Sequence, residues 1–225
     1  MKPFLFTKHF SIAKLLRTLP ILLLCWMATS AWADEPFKAG EDYRVLDQPG
    51  ATENPSTVEV REFFWFGCPH CFELEPTLRI WQKNLPAGVT FIRTAPALND
   101  GWKPHAHAFY IAESTGNGEE ISEALFDTMH VKKQFLKTED ELAKFFTRFG
   151  MSEKEFHEKY NSFAIRTNVN KARNLAMSYK LTGVPAIIVN GKYFVDMGTA
   201  KGPDRLIQVV NYLIAKEKAA LKPAA

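Results

Sequence analysis

The stretch from residue 57 to residue 94 constrains the fold most. Residues 57–66 read TVEVREFFWF, rich in β-branched and aromatic side chains, which predicts a strand. Its apolar end, Phe63 to Phe66, suits burial on both faces of a sheet. Gly67 interrupts the run, and Pro69 stands where the first turn of a helix tolerates a missing N–H. Leu74, Leu78, Trp81 and Leu85 recur at i, i+4, i+7 and i+11, one apolar stripe of a helix reaching about Leu85. Pro86-Ala87-Gly88 ends it, and Val89 to Thr94 is a second strand. Strand, helix and strand in so short a span form a βαβ unit, which requires parallel pairing.

The rest of the chain completes an α/β domain. Helical patterns run from about Ala106, and Leu142, Phe145, Phe146 and Phe149 fall on one face as core residues. Thr138-x-x-Glu141 and Ser152-x-x-Glu155 are capping-box patterns, and a further helix is expected over 166–180. Ala186–Val189 and Lys192–Val195 then flank Asn190-Gly191, a hairpin signal because both turn residues need positive φ. Pro203 opens a last helix with Leu206, Val210, Leu213 and Ile214 inward. The fold class read from this order is one α/β domain interrupted by an all-helical insertion.

The first 33 residues stand apart. Lys2, Lys8, Lys14 and Arg17 precede a short apolar run, and Ala31-Trp32-Ala33 forms a small-x-small cleavage site, the pattern of a cleaved signal peptide. Cys25 lies in the apolar run, but bulky Leu24 argues against lipidation there. The leader carries four cations and no anion, so the net charge of +3 falls to −1 for the remainder. No basic field remains to favour nucleic acid or an anionic membrane, and a soluble protein is expected.

Of three cysteines, only Cys68 and Cys71 lie beyond the leader. One close pair in an exported chain points to redox chemistry, because a loop so small adds little as a structural staple. A zinc site would normally take four ligands, and Cys68, His70 and Cys71 are too contiguous to wrap an ion; no metal is expected. Covalent haem attachment needs a histidine directly after the second cysteine, where Phe72 stands. No cofactor is expected.

At a helix start, Cys68 faces unpaired N–H groups and the positive end of the helix dipole, which favour thiolate. His70 adds a donor or positive charge, and Cys71, one turn inside, is more shielded and suits the resolving step. Stabilising the reduced thiolate makes the disulfide a stronger oxidant. Downstream, Thr182-Gly183-Val184-Pro185 opens the hairpin strand with a residue that cannot donate to a ladder. A cis Val184–Pro185 bond is expected beside the cysteine pair, leaving the Val184 backbone free for an extended substrate. His105 and His107, at i and i+2, point apart and are read as surface residues.

The stretch GCPHC after an aromatic strand, with GVPAIIVNGKYFV downstream, closely resembles the DsbA family of periplasmic disulfide oxidoreductases across essentially the whole chain beyond the leader. That resemblance implies a thioredoxin fold with an inserted all-helical domain: residues 34–98 as its first part, 99–165 as the helical insertion and 166–225 as its second part. It implies Cys68 as nucleophile, Cys71 as resolving thiol, Pro69 and His70 as redox-tuning residues, and Val184 with Pro185 as the substrate-binding loop. DsbA proteins are themselves a standard example of a cysteine made acidic in this way; the direction follows here from the helix start. The resemblance also implies a buried acid, matched by Glu62, whose usual lysine partner is replaced by Arg93, with Glu75 as a second acid. Arginine holds its charge and should carry protons less readily than lysine.

The expected function is oxidation of cysteine pairs in exported proteins, in the periplasm of a Gram-negative bacterium. A quinone-linked membrane oxidase of the DsbB kind would reoxidise the pair. A disulfide isomerase or reductase on the same fold is the alternative, and a peptide-binding chaperone module a weaker one. Only about twenty residues separate Asp34 from the first core strand, too few for the dimerisation domain of a DsbC-type isomerase, so a monomer is expected.

Overall fold

The computed structural model describes residues 35–221; the leader and Cys25 lie outside the described residues. Five strands form one sheet: β1 (Arg44–Val45), β2 (Val58–Phe63), β3 (Val89–Thr94), β4 (Ala186–Val189) and β5 (Tyr193–Asp196), ordered β1-β5-β4-β2-β3. β2 and β3 are parallel, as the strand–helix–strand unit requires, while β2–β4, β4–β5 and β5–β1 are antiparallel. Asn190 and Gly191 turn the β4–β5 hairpin at φ 50° and 65°, as their identities predict. The two-residue edge strand β1 carries no sequence signal of its own.

β2 ends at Phe63, with one further bond from the Phe64 N–H to the Thr94 carbonyl, so Trp65 and Phe66 leave the sheet earlier than the apolar run suggested. Helix α1 (Pro69–Lys83) follows, two residues shorter than expected. Helices α2 (Lys103–Glu113), α3 (Gly118–His130), α4 (Glu139–Phe146) and α5 (Glu153–Tyr160) make the helical block. Helix α6 (Phe163–Ser178) returns to the sheet, and the short α7 (Met197–Ala200) and long α8 (Pro203–Ala220) end the fold. Thr138 and Glu141 complete a reciprocal capping box on α4, and the Ser152 hydroxyl accepts from the Glu155 N–H of α5 at 3.1 Å. Ser162 caps α6, which therefore starts three residues before the expected 166.

Alternation along β2 decides which layer each residue meets. Val58 and Val60 face Leu74, Leu78 and Trp81 of α1 and Val210, Leu213 and Ile214 of α8. Phe63 faces the other way, with Ile188, onto Ala176 and Tyr179 of the α6 end. A third cluster fills the helical block and takes in Phe64, Phe66 and both cysteines. The cysteine pair therefore sits where the helical block meets the sheet.

β2 is buried at all six positions although three are charged. Such charges must be paired. Arg61 is held by Glu59 at 2.9 Å, Glu53 at 2.8 Å and the Thr94 hydroxyl at 2.9 Å. Glu62 points to the opposite face, beneath α1.

His105 and His107 are corrected from surface to interior: only 3% and 9% of each is exposed. They do point apart. His107 Nδ1 meets the Lys103 carbonyl at 2.8 Å and its ring stacks on Tyr160, whereas His105 turns toward Trp65. A two-residue spacing reveals divergence, but not that both faces of α2 are covered.

Candidate active site

The strand exit and the helix start build the centre together. Cys68 closes a turn through its N–H to the Trp65 carbonyl (3.0 Å) and occupies the N-cap position of α1 in extended conformation, with Pro69 beginning the helix. No acid stands in the first turn of α1, so no side chain there repels negative charge at this helix end. Cys68 keeps 8% exposure and Cys71 none.

The two thiols differ sharply in acidity. The Cys71 thiol beside it, the backbone N–H groups of Cys71 and His70, and the His70 charge pull the Cys68 pKa down to about 6, against the opposing effect of burial. Burial pushes Cys71 well above the ordinary thiol range, and negative charge on Cys68 adds to that. His70 itself stands at the surface, its Nδ1 3.3 Å from a Glu73 carboxylate oxygen.

Val184–Pro185 is cis, as expected. The Val184 carbonyl oxygen lies 3.3 Å from Cys68 Sγ although 116 positions separate the two residues. A shallow cavity of about 280 Å³ opens beside this contact, lined by His70, Thr182, Val184, Pro185, Phe194 and Asp196 among others. The structure thus joins the two motifs that the sequence keeps far apart.

Glu62, Arg93 and Glu75 also meet. Parallel register places Glu62 opposite Arg93. Arg93 Nε donates to Glu62 at 2.8 Å and its Nη2 donates to Glu75 at 2.8 Å, while the guanidinium lies 4.1 Å from the centre of the Phe64 ring. One arginine fork serves two acids, an arrangement that a lysine point charge cannot reproduce with the same geometry. Glu62 is fully buried and its second carboxylate oxygen, Oε1, has no hydrogen-bond partner. Burial raises the Glu62 pKa, and Arg93 offsets part of the rise.

Other residues at this centre escaped the sequence reading. Trp65 stacks on Trp102 with ring centres 4.6 Å apart and planes within 8°. His130 Nε2 meets the Phe66 carbonyl at 2.7 Å, and its ring stacks on Phe72. A lone histidine or tryptophan has no periodic signature; only the aromatic richness near the CPHC motif hinted at them.

One thiolate at the edge of a cleft and one protonated thiol sealed behind it are what exchange with an external disulfide or dithiol requires. On this sheet topology, with the cis-proline loop against the first sulfur, they define the class of thioredoxin-fold thiol–disulfide oxidoreductases. The DSBA-like thioredoxin domain matches residues 88–213. The chain is 41% identical over 209 residues to the thiol:disulfide interchange protein DsbA of Pseudomonas aeruginosa, covering 92% of this chain and 98% of that one. The DsbA of Burkholderia cepacia is 36% identical over 203 residues, covering 89% and 95%. The crystal structure of Pseudomonas aeruginosa DsbA superposes with a TM-score of 0.78 at 41% identity, over 82% of this chain and 96% of that one. The chain belongs to the DsbA family: it is a thiol:disulfide oxidoreductase with a disulfide-oxidising role. Among the described residues no helix is long and apolar enough to cross a membrane.

Proposed function

We propose that the chain oxidises cysteine pairs in newly exported proteins in the periplasm of a Gram-negative bacterium, with Cys68 as nucleophile and Cys71 as resolving thiol. A substrate thiolate attacks Cys68 Sγ of the Cys68–Cys71 disulfide, and the S–S bond breaks toward Cys71, which takes up a proton. A second substrate thiolate then attacks the substrate sulfur of the mixed disulfide and releases Cys68 as thiolate. Two electrons have passed from substrate to enzyme, and the substrate holds a new disulfide.

The observation that carries this reading is the acidity split between the sulfurs. A thiol that ionises near pH 6 is a good leaving group in the second step, which favours release of oxidised substrate. Pro69 and His70 set that acidity by starting the helix and adding charge. Val184 and Pro185 form the loop along which an extended substrate lies. Glu62 supplies or accepts the Cys71 proton, and Arg93 and Glu75 hold it in place while linking it to the surface.

The reduced pair returns its electrons to a quinone-linked membrane oxidase of the DsbB kind, and the chain works as a monomer. Equilibration with glutathione buffers of graded ratio tests the direction. The protein should remain reduced in buffers that fully oxidise a thioredoxin-like dithiol. Full oxidation under those same buffers would assign it to the reductases instead. Quinone-containing inner membranes should reoxidise it, and sedimentation should give a single-chain mass.

A further inference from the structure

His105 has partners that dictate its protonation. Its Nδ1 lies 2.8 Å from Trp65 Nε1, and an indole N–H can only donate, so Nδ1 must accept. Its Nε2 lies 3.0 Å from the carbonyl oxygens of both Phe135 and Leu136, which can only accept, so Nε2 carries the proton. The ring is therefore one neutral tautomer. It joins the strand exit before the cysteines to the loop after α3.

Trp65 in turn touches the redox centre at several points. Its carbonyl accepts the Cys68 N–H, and its backbone also lies against the Cys71 sulfur. Its indole lies over Gly67: a Cβ there would stand 2.3 Å from the ring. Trp102 covers the ring on one face. Holding the indole holds the turn from Trp65 to Cys68.

We propose that His105 is a positioning residue of the redox centre, its neutral imidazole pinning the Trp65 indole over Gly67 so that Cys68 stays aimed for exchange. Protonation would set an Nδ1–H against the indole N–H, two donors facing each other, and the pin would open. Burial resists that protonation and holds the His105 pKa below the ordinary histidine value, against the hydrogen bonds to the Leu136 and Phe135 carbonyls and the smaller pull of Glu141 at the start of α4. The strand exit presents the indole to the ring and the loop presents two carbonyls, so neither adds a formal charge there.

The inference rests on Cys68 being the nucleophile. Loss of turnover in Cys68→Ala checks that reading separately, and its failure would be visible before any His105 variant is made.

Two substitutions separate the two ends of the ring. In His105→Asn the amide oxygen reaches the Nδ1 position and keeps the Trp65 bond while losing the loop carbonyls. In His105→Gln the amide nitrogen reaches the Nε2 position, keeping the loop and losing Trp65. Oxidation of a reduced dithiol peptide by each variant, stored as disulfide, should give kcat/KM within about twofold of wild type for the Asn variant. The Gln variant should fall about tenfold, the scale of one lost hydrogen bond. A residue that merely ties down the loop predicts the reverse order. Once pH falls below the ordinary histidine range, the wild-type rate should drop relative to His105→Asn, which cannot titrate. If either variant fails to fold, Trp65→Phe keeps a ring of similar character but no N–H, and should lose about tenfold together with the acid dependence. Equal rates for the Asn and Gln variants, or an unaffected Trp65→Phe, would overturn the assignment.

Discussion

Titrating the reduced protein isolates the charge on Cys68. The sulfur ionises near pH 6 in the fold, against 9.0 for an ordinary thiol. At about 1.4 kcal/mol per pKa unit the gap has a ceiling of roughly 4 kcal/mol. Solvent reaching the sulfur screens this to on the order of 2–4 kcal/mol. The sign follows from proton binding. Between pH 6 and pH 9.0 the unfolded chain holds a proton that folded Cys68 has released, so stability rises with pH across that window. The contribution is complete above the unfolded value and vanishes as pH falls through the folded one. At pH 7 it amounts to about 1 kcal/mol.

The assay is urea unfolding of the reduced wild type and reduced Cys68→Ser, in excess reductant, at steps from pH 5 to pH 9. Taking the difference removes the titrating groups that do not interact with Cys68. The wild-type advantage should grow by about 1 kcal/mol per pH unit through the window and level off above it. The same ionisation raises the reduction potential, roughly 30 mV for each 1.4 kcal/mol in a two-electron couple. A difference that stays flat, or that grows toward acid, would refute the argument that the helix start and its neighbours hold a thiolate.

Two further outcomes test the surroundings. Glu62→Gln should slow oxidation of a reduced peptide while melting stays cooperative, because Glu75 still holds Arg93; an unchanged oxidation rate would remove Glu62 from the proton path. Gly67→Ala must push aside an indole stacked on Trp102 and bonded to His105, so it should cost about 1–3 kcal/mol and disturb the near-ultraviolet signature of the paired tryptophans; an unperturbed spectrum would mean that the ring moves freely.

Much of the site was legible because its chemistry is local. Cys68, Pro69, His70 and Cys71 fall in one turn, and their spacing alone sets the helix start, the shared face and the direction of the acidity shift. Glu62 stood out as an acid in an apolar strand, and it is buried. The cis proline was legible only through its pairing with the upstream motif. The histidines were not. His105 and His107 lie in a helix whose apolar pattern is weak, and nothing nearby in sequence says that α5, the strand exit and a distant loop close over both faces.

Local forces act over a few residues, and within that range the chain's order determined four of its five strands, the α4–α6 helix caps, the hairpin turn and the chemistry of its cysteine pair. Tertiary packing decided the rest. Register between β2 and β3 set Glu62 against Arg93, and the hairpin's place beside β2 brought Val184 to Cys68. Closure of the helical block turned a surface-looking histidine into the neutral link between Trp65 and a loop thirty residues away. Those contacts depend on which faces meet, and that choice is made by burial of the whole apolar surface, which no short segment encodes.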